Sequence, residues 1–289
     1  MNWKLKAKAF RMLSAVPFGR QVHYVVQRYV TKSLPRSDAA IAEYLEMARR
    51  VKREIEAAGV IAFQGARLLE IGAGRDFATA IALRMLGAGS VTCVDITHMA
   101  RPILVAAAAR RIAALLGQPD PGLDDWRKIK SFGITYLAPT LLQHAEIAKA
   151  SIDCFYTVAT LEHIPPSDLE DVLAYSSKLL SPGGLSVHIV DYTDHYARHG
   201  NGLPLFNFLT FDEGSWKPYN SDYQYVNRLR HSQVLGMFER TGMKILRHDP
   251  KVAKPEPQVT SRLAAEFAHL QPDDLFTIEG TIVARHAMP

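Results

Sequence analysis

The sequence predicts an α/β fold, doubly wound around a mostly parallel sheet with helices on both faces. Short apolar runs of strand length alternate with longer segments of helical periodicity, and glycine or proline marks most of their boundaries. A glycine-rich turn joins the first strand of this series to its helix. With 289 residues, 48% of them hydrophobic, the chain is long enough to bury a full core.

The chain begins with a basic, amphipathic arm. No Asp or Glu precedes Asp38, so the net charge of +5 and the alkaline pI of about 9.1 are properties of this arm, and a nucleic-acid groove across the rest is not expected. A helix is predicted over 3–16, with an apolar side formed by Leu5, Ala9, Met12 and Val16. The pattern suits a helix that docks on its own domain, which we favour, and also one that makes peripheral membrane contact through residues 1–32.

A second helix is predicted over 39–58, because Ser37 or Asp38 can cap its start and Gly59 can end it. Residues 1–59 therefore form an N-terminal basic and helical extension, and the main domain spans 60–289. Its predicted strands are 66–71, 91–96, 133–137, 152–158, 185–191, 243–248 and 277–285. Its predicted helices are 77–85, 102–116, 165–180 and 232–240, whereas 118–126 is predicted to be a loop.

Local signals set several of these boundaries. Pro102 fits the first turn of a helix and Gly117 its end. Ser181-Pro182-Gly183-Gly184 predicts a tight reversal from helix into strand. A long, aromatic-rich connection follows the fifth strand at about 192–230, and we interpret it as an insertion on the substrate side, because long irregular segments are usually functional.

The turn after the first strand is the most informative motif. Residues 68–76 read Leu-Leu-Glu-Ile-Gly-Ala-Gly-Arg-Asp, and Gly72 and Gly74 allow the backbone to turn sharply and approach a ligand without an intervening Cβ. Asp95 closes the second strand, one strand–helix–strand unit later, where a carboxylate can accept hydrogen bonds from ribose hydroxyls. The pattern predicts a site for an adenosine-bearing cofactor.

Acidic residues in this turn discriminate between cofactors. A nicotinamide dinucleotide site has a third glycine where its pyrophosphate meets the helix; here that position is Asp76, whose carboxylate would repel a diphosphate. Glu70 could instead bond to an ammonium group. The turn resembles the first motif, Glu/Asp-x-Gly-x-Gly, of the class I S-adenosylmethionine-dependent methyltransferases, and Thr160-Leu161-Glu162-His163-Ile164 resembles their fourth motif.

This resemblance covers roughly residues 60–289 and implies a Rossmann-like methyltransferase fold, with a seven-stranded sheet whose last strand is antiparallel. It implies S-adenosyl-L-methionine as the cofactor, at the carboxyl ends of the strands. Ala138 and Pro139 stand where the family often has an Asp that meets the adenine amine. The cofactor-binding residues that the resemblance implies are Glu70, Gly72, Ala73, Gly74, Asp95, Ile96, Ala138, Pro139, Thr157, Ala159 and His163.

The acceptor side is predicted at the end of the fifth strand. Methyl transfer from a sulfonium is an in-line displacement that needs alignment and, for a hydroxyl or amine acceptor, removal of a proton. His195 could be the catalytic base, oriented by Asp191, or both could be loop residues that bind substrate without proton transfer. His195 and His199 are spaced for a metal, but the displacement needs none, and no metal is predicted.

Four further residues are candidates for substrate binding: Tyr192, Asp194, Arg228 and Arg230. The two arginines could clamp a carboxylate or phosphate of the acceptor. Alternatively, they are ordinary surface charges, or they brace the insertion by pairing with Asp191 and Asp194.

We interpret the chain as an S-adenosylmethionine-dependent methyltransferase of a small-molecule or lipid-linked acceptor, which can be a sugar, with transfer to oxygen. Residues 188–195 and 225–230 resemble methyltransferases associated with bacterial surface-polysaccharide or glycolipid synthesis. The alternatives are an NAD(P)-dependent oxidoreductase, which Glu70 and Asp76 disfavour, and a methyltransferase-like, non-catalytic binding protein.

The sequence also gives an expectation for location. The start does not resemble a secretory signal, no apolar run is long enough to span a membrane, and Cys93 and Cys154 read as core thiols of a reducing compartment. We therefore expect a cytoplasmic protein, with peripheral attachment at the inner membrane face as an option. The pattern does not indicate an oligomeric state.

Overall fold

The computed structural model describes residues 2–199 and 202–286, except for the side chain of His199. Within this part of the chain, seven strands form one sheet and eleven α-helices accompany it. The strands are β1 (Arg67–Ile71), β2 (Ser90–Val94), β3 (Ile134–Leu137), β4 (Ile152–Val158), β5 (Leu180–Asp191), β6 (Met243–Val252) and β7 (Thr277–His286). The helices are α1 (Trp3–Ala15), α2 (Gly19–Val25), α3 (Asp38–Ala58), α4 (Ala78–Met85), α5 (Pro102–Leu116), α6 (Trp126–Ser131), α7 (Pro166–Leu179), α8 (Glu213–Trp216), α9 (His231–Arg240), α10 (Pro257–Thr260) and α11 (Pro272–Leu275).

The sheet has the strand order β3-β2-β1-β4-β5-β7-β6. Among the described strands only β7 is reversed, and it pairs antiparallel with both β5 and β6, which confirms the predicted mostly parallel sheet with a reversed last strand. The order changes direction between β1 and β4, so their carboxyl ends border a crevice, where ligands bind in such sheets. The register places Glu70 beside Cys93 of β2 and Tyr156 of β4.

Two apolar layers cover the sheet. On one face α3, α4 and α5 pack against strand residues such as Leu68 and Val187, and on the other α7 and α9 pack against residues such as Leu69 and Phe155. The helix α3 starts and ends as predicted, because the Ser37 hydroxyl accepts the Ala40 amide and Gly59 is left-handed. Since α3 shares the core of the sheet, the domain boundary at residue 60 stays a prediction.

The helix α1 packs on the insertion, but not through its predicted apolar side. Ala7 is fully buried, and the ring centroid of Trp3 lies 4.8 to 6.1 Å from four other aromatic rings. These rings belong to Tyr196, Phe211, Trp216 and Tyr219. The predicted apolar side, which includes Leu5 and Met12, remains exposed. No helix of the described residues has the length and hydropathy that a membrane span requires.

Three local features differ from the sequence prediction. The helix α6 starts where a loop was expected to end, because the Asp125 side chain caps it by accepting two backbone amides. The strand β5 extends back to Leu180 through the predicted reversal, with a shifted register against β4. The helix α2 and the π-helical turn Val26–Val30 have no counterpart in the prediction.

Candidate active site

The glycine turn after β1 lies against the turn that follows β4. Gly72 and Gly74 have φ values of +76° and +73°, a left-handed conformation that glycine adopts without strain. A Cβ on Gly72 would lie 2.6 Å from Cγ2 of Thr160, so the close approach also requires glycine. Ala73, between the two glycines, packs on the core below. Because the two glycines have no side chains, the backbone of this turn is uncovered at the end of β1.

Asp95 lies at the same edge, directly after β2. Its amide donates to the carbonyl of Leu137 at 3.1 Å and its carbonyl accepts from Thr140 at 3.0 Å, which fixes its backbone. The side chain is 7% exposed, and Oδ2 has no hydrogen-bond partner among the described residues. Burial raises the pKa of Asp95 to about 7, although a hydrogen bond from the Gly74 amide opposes this shift. An unpartnered acceptor in this place suits a ribose hydroxyl.

Glu70 is the second buried carboxylate of the crevice. The Cys93 thiol donates to Oε2 at 3.8 Å, Tyr156 lies alongside, and the nearest charges, on Asp95 and Asp76, are negative. Burial, followed by these charges, raises the pKa of Glu70 to about 8 against the opposing effects of Tyr156 and Cys93. No described cation forms an ion pair with it. An ammonium or sulfonium would supply the missing positive charge, so the pocket fits the cofactor that the motif implies.

Asp76 does not face the crevice as an unpaired charge. It is 2% exposed and forms an ion pair with Arg36 of the extension, whose guanidinium also lies 4.3 Å from the ring centroid of Tyr44. The predicted repulsion of a diphosphate by Asp76 is thus weakened, because Arg36 neutralises its charge. Discrimination against a phosphate-containing cofactor therefore rests mainly on the buried carboxyl group of Glu70.

The predicted adenine side of the crevice is apolar. Ile96 is 68% exposed directly after Asp95, and the Ala138–Pro139 peptide, which is cis, follows β3. Exposed apolar groups of this kind can pack against an aromatic base.

Thr157 and Ala159 are placed differently. The Thr157 hydroxyl lies 2.8 Å from Nδ1 of His188 on β5 and is fully buried, so it is occupied inside the sheet. Ala159 has a φ of +48°, and its amide donates to the carbonyl of Ile189 at 2.8 Å. The predicted contact of the Thr157 side chain with the cofactor has no support from this geometry.

The turn after β4, Leu161–His163, presents an unpaired carboxylate. Glu162 is 2% exposed, and neither of its carboxylate oxygens has a hydrogen-bond partner in the described part of the chain. Burial raises the pKa of Glu162 to about 8. His163 lines the same recess and reaches solvent. Its Nδ1 lies 2.6 Å from the carbonyl oxygen of Tyr225, which can only accept, so Nδ1 carries the proton and Nε2 is free to bind.

The structure brings His195 and Asp191 together at the end of β5, with 3.9 Å between Nε2 and Oδ2. Arg198 lies between them, donating to Nε2 at 2.6 Å and forming an ion pair with Asp191. His195 is 5% exposed, and burial, followed by the neighbouring His163, lowers its pKa to about 3. Its Nε2 is therefore unprotonated at neutral pH, but an imidazole with this pKa is a weak base.

The other candidates for substrate binding hold the insertion in place. Asp194 accepts from the Asn207 side chain at 3.0 Å, and burial raises its pKa to about 6, while the Tyr192 hydroxyl is bonded to His231. Arg228 pairs with two glutamates, and Arg230 donates to three backbone carbonyls. Among the described contacts neither arginine pairs with Asp191 or Asp194. The predicted substrate contacts of these four residues stay predictions without support here.

Comparison with known proteins identifies the family. A family model described as a methyltransferase domain matches residues 20–248. The chain belongs to this methyltransferase family. The match spans the sheet from β1 to β6 and includes both turns described above. No curated protein sequence matches the chain.

Solved structures similar to this methyltransferase are distant. A S-adenosylmethionine-dependent methyltransferase from Mesorhizobium loti is 17% identical, with 79% of this chain and 95% of that chain covered and a TM-score of 0.47. Magnesium protoporphyrin IX methyltransferase from Synechocystis PCC 6803, with bound SAH, is 13% identical, with 84% and 83% covered and a TM-score of 0.47. The mitomycin 7-O-methyltransferase MmcR is 16% identical, with 99% and 69% covered and a TM-score of 0.47. At this distance they say nothing about the acceptor.

The family assignment identifies the cofactor that binds in the crevice. S-adenosyl-L-methionine carries an ammonium and a sulfonium and no phosphate, which agrees with two buried carboxylates, Glu70 and Asp95, that lack a described cation. The enzyme is therefore a S-adenosylmethionine-dependent methyltransferase. An oxidoreductase and a non-catalytic binding protein, the two alternatives from the sequence, are not supported.

Sequence reasoning missed three residues that support the candidate site. Arg36 neutralises Asp76, and Arg198 bridges Asp191 and His195. Asn227 anchors the turn after β4, because its side chain donates to the carbonyls of Leu161 and Ile164 at 2.8 and 2.9 Å. Asn227 could have been noticed, because it directly precedes Arg228, a candidate from the sequence. Arg36 and Arg198 could not, because nothing in the sequence spacing indicates that Arg36 meets Asp76 or that Arg198 lies between Asp191 and His195.

Proposed function

We propose that this methyltransferase transfers a methyl group from S-adenosyl-L-methionine to a hydroxyl oxygen of a lipid-linked, sugar-containing acceptor at the inner face of the cytoplasmic membrane. The observation that supports the oxygen acceptor is the pair His195 and Asp191, because an unprotonated ring nitrogen with a carboxylate 3.9 Å away can accept a hydroxyl proton. The likeness of residues 188–195 and 225–230 to enzymes associated with surface-polysaccharide or glycolipid synthesis supports the sugar and the lipid.

The residues divide into two roles. Glu70, Asp95 and the glycine turn would hold the cofactor, which supplies an activated methyl group when bound. On the acceptor side, the substrate hydroxyl would replace the Arg198 guanidinium at Nε2 of His195. The acceptor exchanges its hydroxyl proton for the methyl group, the proton passes to His195, and Asp191 stabilises the imidazolium.

The N-terminal surface supports a membrane location. Phe18 is 75% exposed and Met12 is 72% exposed, and further exposed apolar side chains in the first 30 residues are Leu5, Val16, Val22, Val25, Tyr29 and Val30. No acidic residue interrupts this segment, which also contains lysines and arginines. Apolar side chains together with basic ones are the combination that binds an interface rich in anionic lipid.

This surface lies near the crevice. The guanidinium of Arg101 is 4.0 Å from the ring centroid of Tyr24 in α2, and Arg101 directly precedes α5, the helix after β2. Arg36, which follows this segment in the chain, reaches Asp76 beside the glycine turn. A membrane bound by this segment would therefore be close to the cofactor, which suits an acceptor whose lipid stays in the bilayer.

Transfer can be tested with methyl-labelled S-adenosyl-L-methionine and a bacterial extract separated into lipid and aqueous fractions. We expect label in the lipid fraction that mild base does not release as methanol, because methyl ethers survive conditions that hydrolyse methyl esters. The Asp95→Asn variant, which weakens cofactor binding, should reduce the label. Label confined to the aqueous fraction before base treatment would exclude the lipid-linked acceptor, and release of the label as methanol in mild base would exclude transfer to a hydroxyl.

Membrane contact can be tested by co-sedimentation with phosphatidylglycerol or phosphatidylcholine vesicles. We expect binding to the anionic vesicles that decreases with added salt and is reduced in Phe18→Ser, since the Phe18 side chain is exposed; circular dichroism of the variant checks its fold. Leu246→Ser is the matched control, because Leu246 is an exposed apolar residue of β6, outside this segment. The proposal would be contradicted if both variants lost vesicle binding equally, or if the wild type did not bind the vesicles.

A further inference from the structure

Beyond the cofactor pocket, the structure assembles a second group of ligand atoms. Glu162, His163 and His195 each offer one ligand atom, and these three atoms all lie within 4.8 Å of one another. Glu162 and His163 come from the turn after β4, and His195 follows β5. Because β4 and β5 are neighbouring parallel strands, their carboxyl ends bring these residues together on the acceptor side of the crevice.

The surroundings of Glu162 indicate that it binds a positively charged ligand. It is 2% exposed, and both of its carboxylate oxygens lack a hydrogen-bond partner among the described residues. A buried carboxylate is normally paired with a cation or hydrogen-bonded. Glu70 and Asp95 already provide carboxylates for the cofactor at the ends of β1 and β2. We therefore expect a different cation as the partner of Glu162.

The two imidazoles have the tautomers that metal ligands need. Nδ1 of His163 donates to the carbonyl of Tyr225 at 2.6 Å, which leaves a lone pair on Nε2. Nε2 of His195 accepts from Arg198 at 2.6 Å, so it also carries a lone pair. A histidine whose other nitrogen is held by a carbonyl is the common arrangement around bound metals.

The guanidinium of Arg198 lies where a bound cation would contact His195 and Asp191. It binds His195 and Asp191 but makes no described hydrogen bond to Glu162, whose oxygens remain unpaired. Its side chain is 41% exposed, so it can move towards solvent. A small divalent ion could contact all three ligands at once, which the guanidinium does not do.

We propose that Glu162, His163 and His195 bind a divalent first-row transition ion, with Arg198 displaced. Two imidazole nitrogens and one carboxylate favour such an ion over Mg²⁺, which prefers oxygen ligands. Ligands about 2.1 Å from one ion are about 3 to 4 Å apart, so side-chain rotation is sufficient to close the site. The site differs from the spacing of His195 and His199 in the sequence, and the side chain of His199 lies outside the described residues.

The role of this ion rests on the proposed function. Three protein ligands leave positions open, and one of them would take the acceptor oxygen and lower the pKa of its hydroxyl. The oxygen–methyl bond then forms while the carbon–sulfur bond breaks, the electron pair stays on sulfur, and the proton passes to Asp191. With the ion bound, His195 would be a ligand, and Asp191 would take the proton that His195 takes in the ion-free enzyme.

Binding can be tested without an acceptor by titrating Co²⁺ into the full-length protein after dialysis against EDTA. We expect one Co²⁺ per chain, with visible absorption bands from a site containing nitrogen ligands. In His163→Gln the affinity should fall at least about tenfold, as for the loss of a metal ligand or its support. His163 reaches solvent, so this variant should fold; Glu162→Gln should show the same loss, with its circular dichroism as the check on folding.

His248→Gln is the matched control, because His248 lies 3.2 Å from His231 in another pair of imidazoles, away from the crevice. Unchanged Co²⁺ affinity in His163→Gln, or loss of affinity in His248→Gln, would overturn the proposal. Two further results separate it from the proposed function. Full transfer to a hydroxyl in excess EDTA would refute the catalytic role of the ion and leave the proposed function standing, whereas tight Co²⁺ binding without transfer to a hydroxyl would refute the proposed acceptor and leave the metal site standing.

Discussion

At the scale of single residues, the end of the sheet holds buried carboxyl groups that form no ion pair with any described residue. Burial raises the pKa of both Glu70 and Glu162 to about 8 and that of Asp95 to about 7. Each shift means that the folded protein disfavours the carboxylate, relative to water, until a positively charged or hydrogen-bonding ligand arrives. Such groups add little to the stability of the free protein and are suited to binding.

Asp95 provides the first test at this scale. Asp95→Asn should weaken the binding of S-adenosyl-L-methionine by about 1 to 3 kcal/mol, because a charged acceptor with a free Oδ2 is replaced by an amide. Isothermal titration calorimetry measures the change. Asp120→Asn is the control, since Asp120 pairs with Arg110 in a surface loop. Equal affinity in wild type and Asp95→Asn would remove Asp95 from the site.

The raised pKa values also predict a pH dependence. Between their ordinary pKa values and about pH 7 to 8, Glu70 and Asp95 bind protons in the folded state that the unfolded chain has lost, so their contribution to stability falls as pH rises through this window. A cationic cofactor favours the carboxylates, so its affinity should rise from pH 6 to pH 8 and its binding should release protons. Cys93, Tyr156 and Asp76 are the other titratable groups around Glu70.

Calorimetry in buffers of different ionisation enthalpy would count these protons. Glu70→Gln removes the group with the higher pKa of the two and should weaken the pH dependence of cofactor affinity. Proton uptake on binding, or affinity that falls towards pH 8, would show that Glu70 and Asp95 do not face the bound cofactor.

At the scale of elements, the glycine turn after β1 is limited by two separate constraints. Gly72→Ala should reduce stability and cofactor affinity, because its φ of +76° strains an L residue by about 1 to 2 kcal/mol and its Cβ would meet Thr160. Gly117→Ala is a matched control for strain alone, since Gly117 has a φ of +63° and nothing within 4 Å of its Cβ position.

Urea denaturation of both variants separates the two constraints. The loss in Gly72→Ala should exceed that in Gly117→Ala, and Thr160→Ala should restore part of the difference. If Gly117→Ala is as unstable as Gly72→Ala, the contact with Thr160 has no energetic importance, and the turn requires glycine for its φ alone.

The same scale shows what the sequence could predict. The helices α3 and α5 were predicted closely because a capping serine, an N-terminal proline and left-handed glycines are local signals. The helix α6 was missed because the nearby prolines and a glycine resemble a loop, although Asp125 caps it. Arg228 was noticed in the sequence, but the two exposed glutamates that pair with its buried guanidinium, Glu213 and Glu266, could not be predicted from sequence spacing.

At the scale of the whole molecule, contacts between distant segments determine how the site is completed. The glycine turn and Asp95 were predictable, since one strand–helix–strand unit brings them together. Arg36 and Asp76 belong to different elements, and their pairing depends on how the extension crosses the sheet. For the same reason, the sequence identified the apolar side of α1 but did not predict that Trp3 and Ala7, on another side, would dock.

The extension should respond to cofactor binding, because it contacts the cofactor turn directly. Arg36 pairs with Asp76, and its Nη2 lies 4.0 Å from the Cβ position of Gly74. We expect S-adenosyl-L-methionine to slow amide hydrogen exchange in residues 18–36 of the wild type, and this slowing to be lost in Arg36→Ala. Arg49→Ala, which breaks an exposed pair with Glu46, is the control and should keep it. Equal slowing in both variants would mean that the cofactor and the extension are coupled without this ion pair, through the contact of Tyr24 with Arg101.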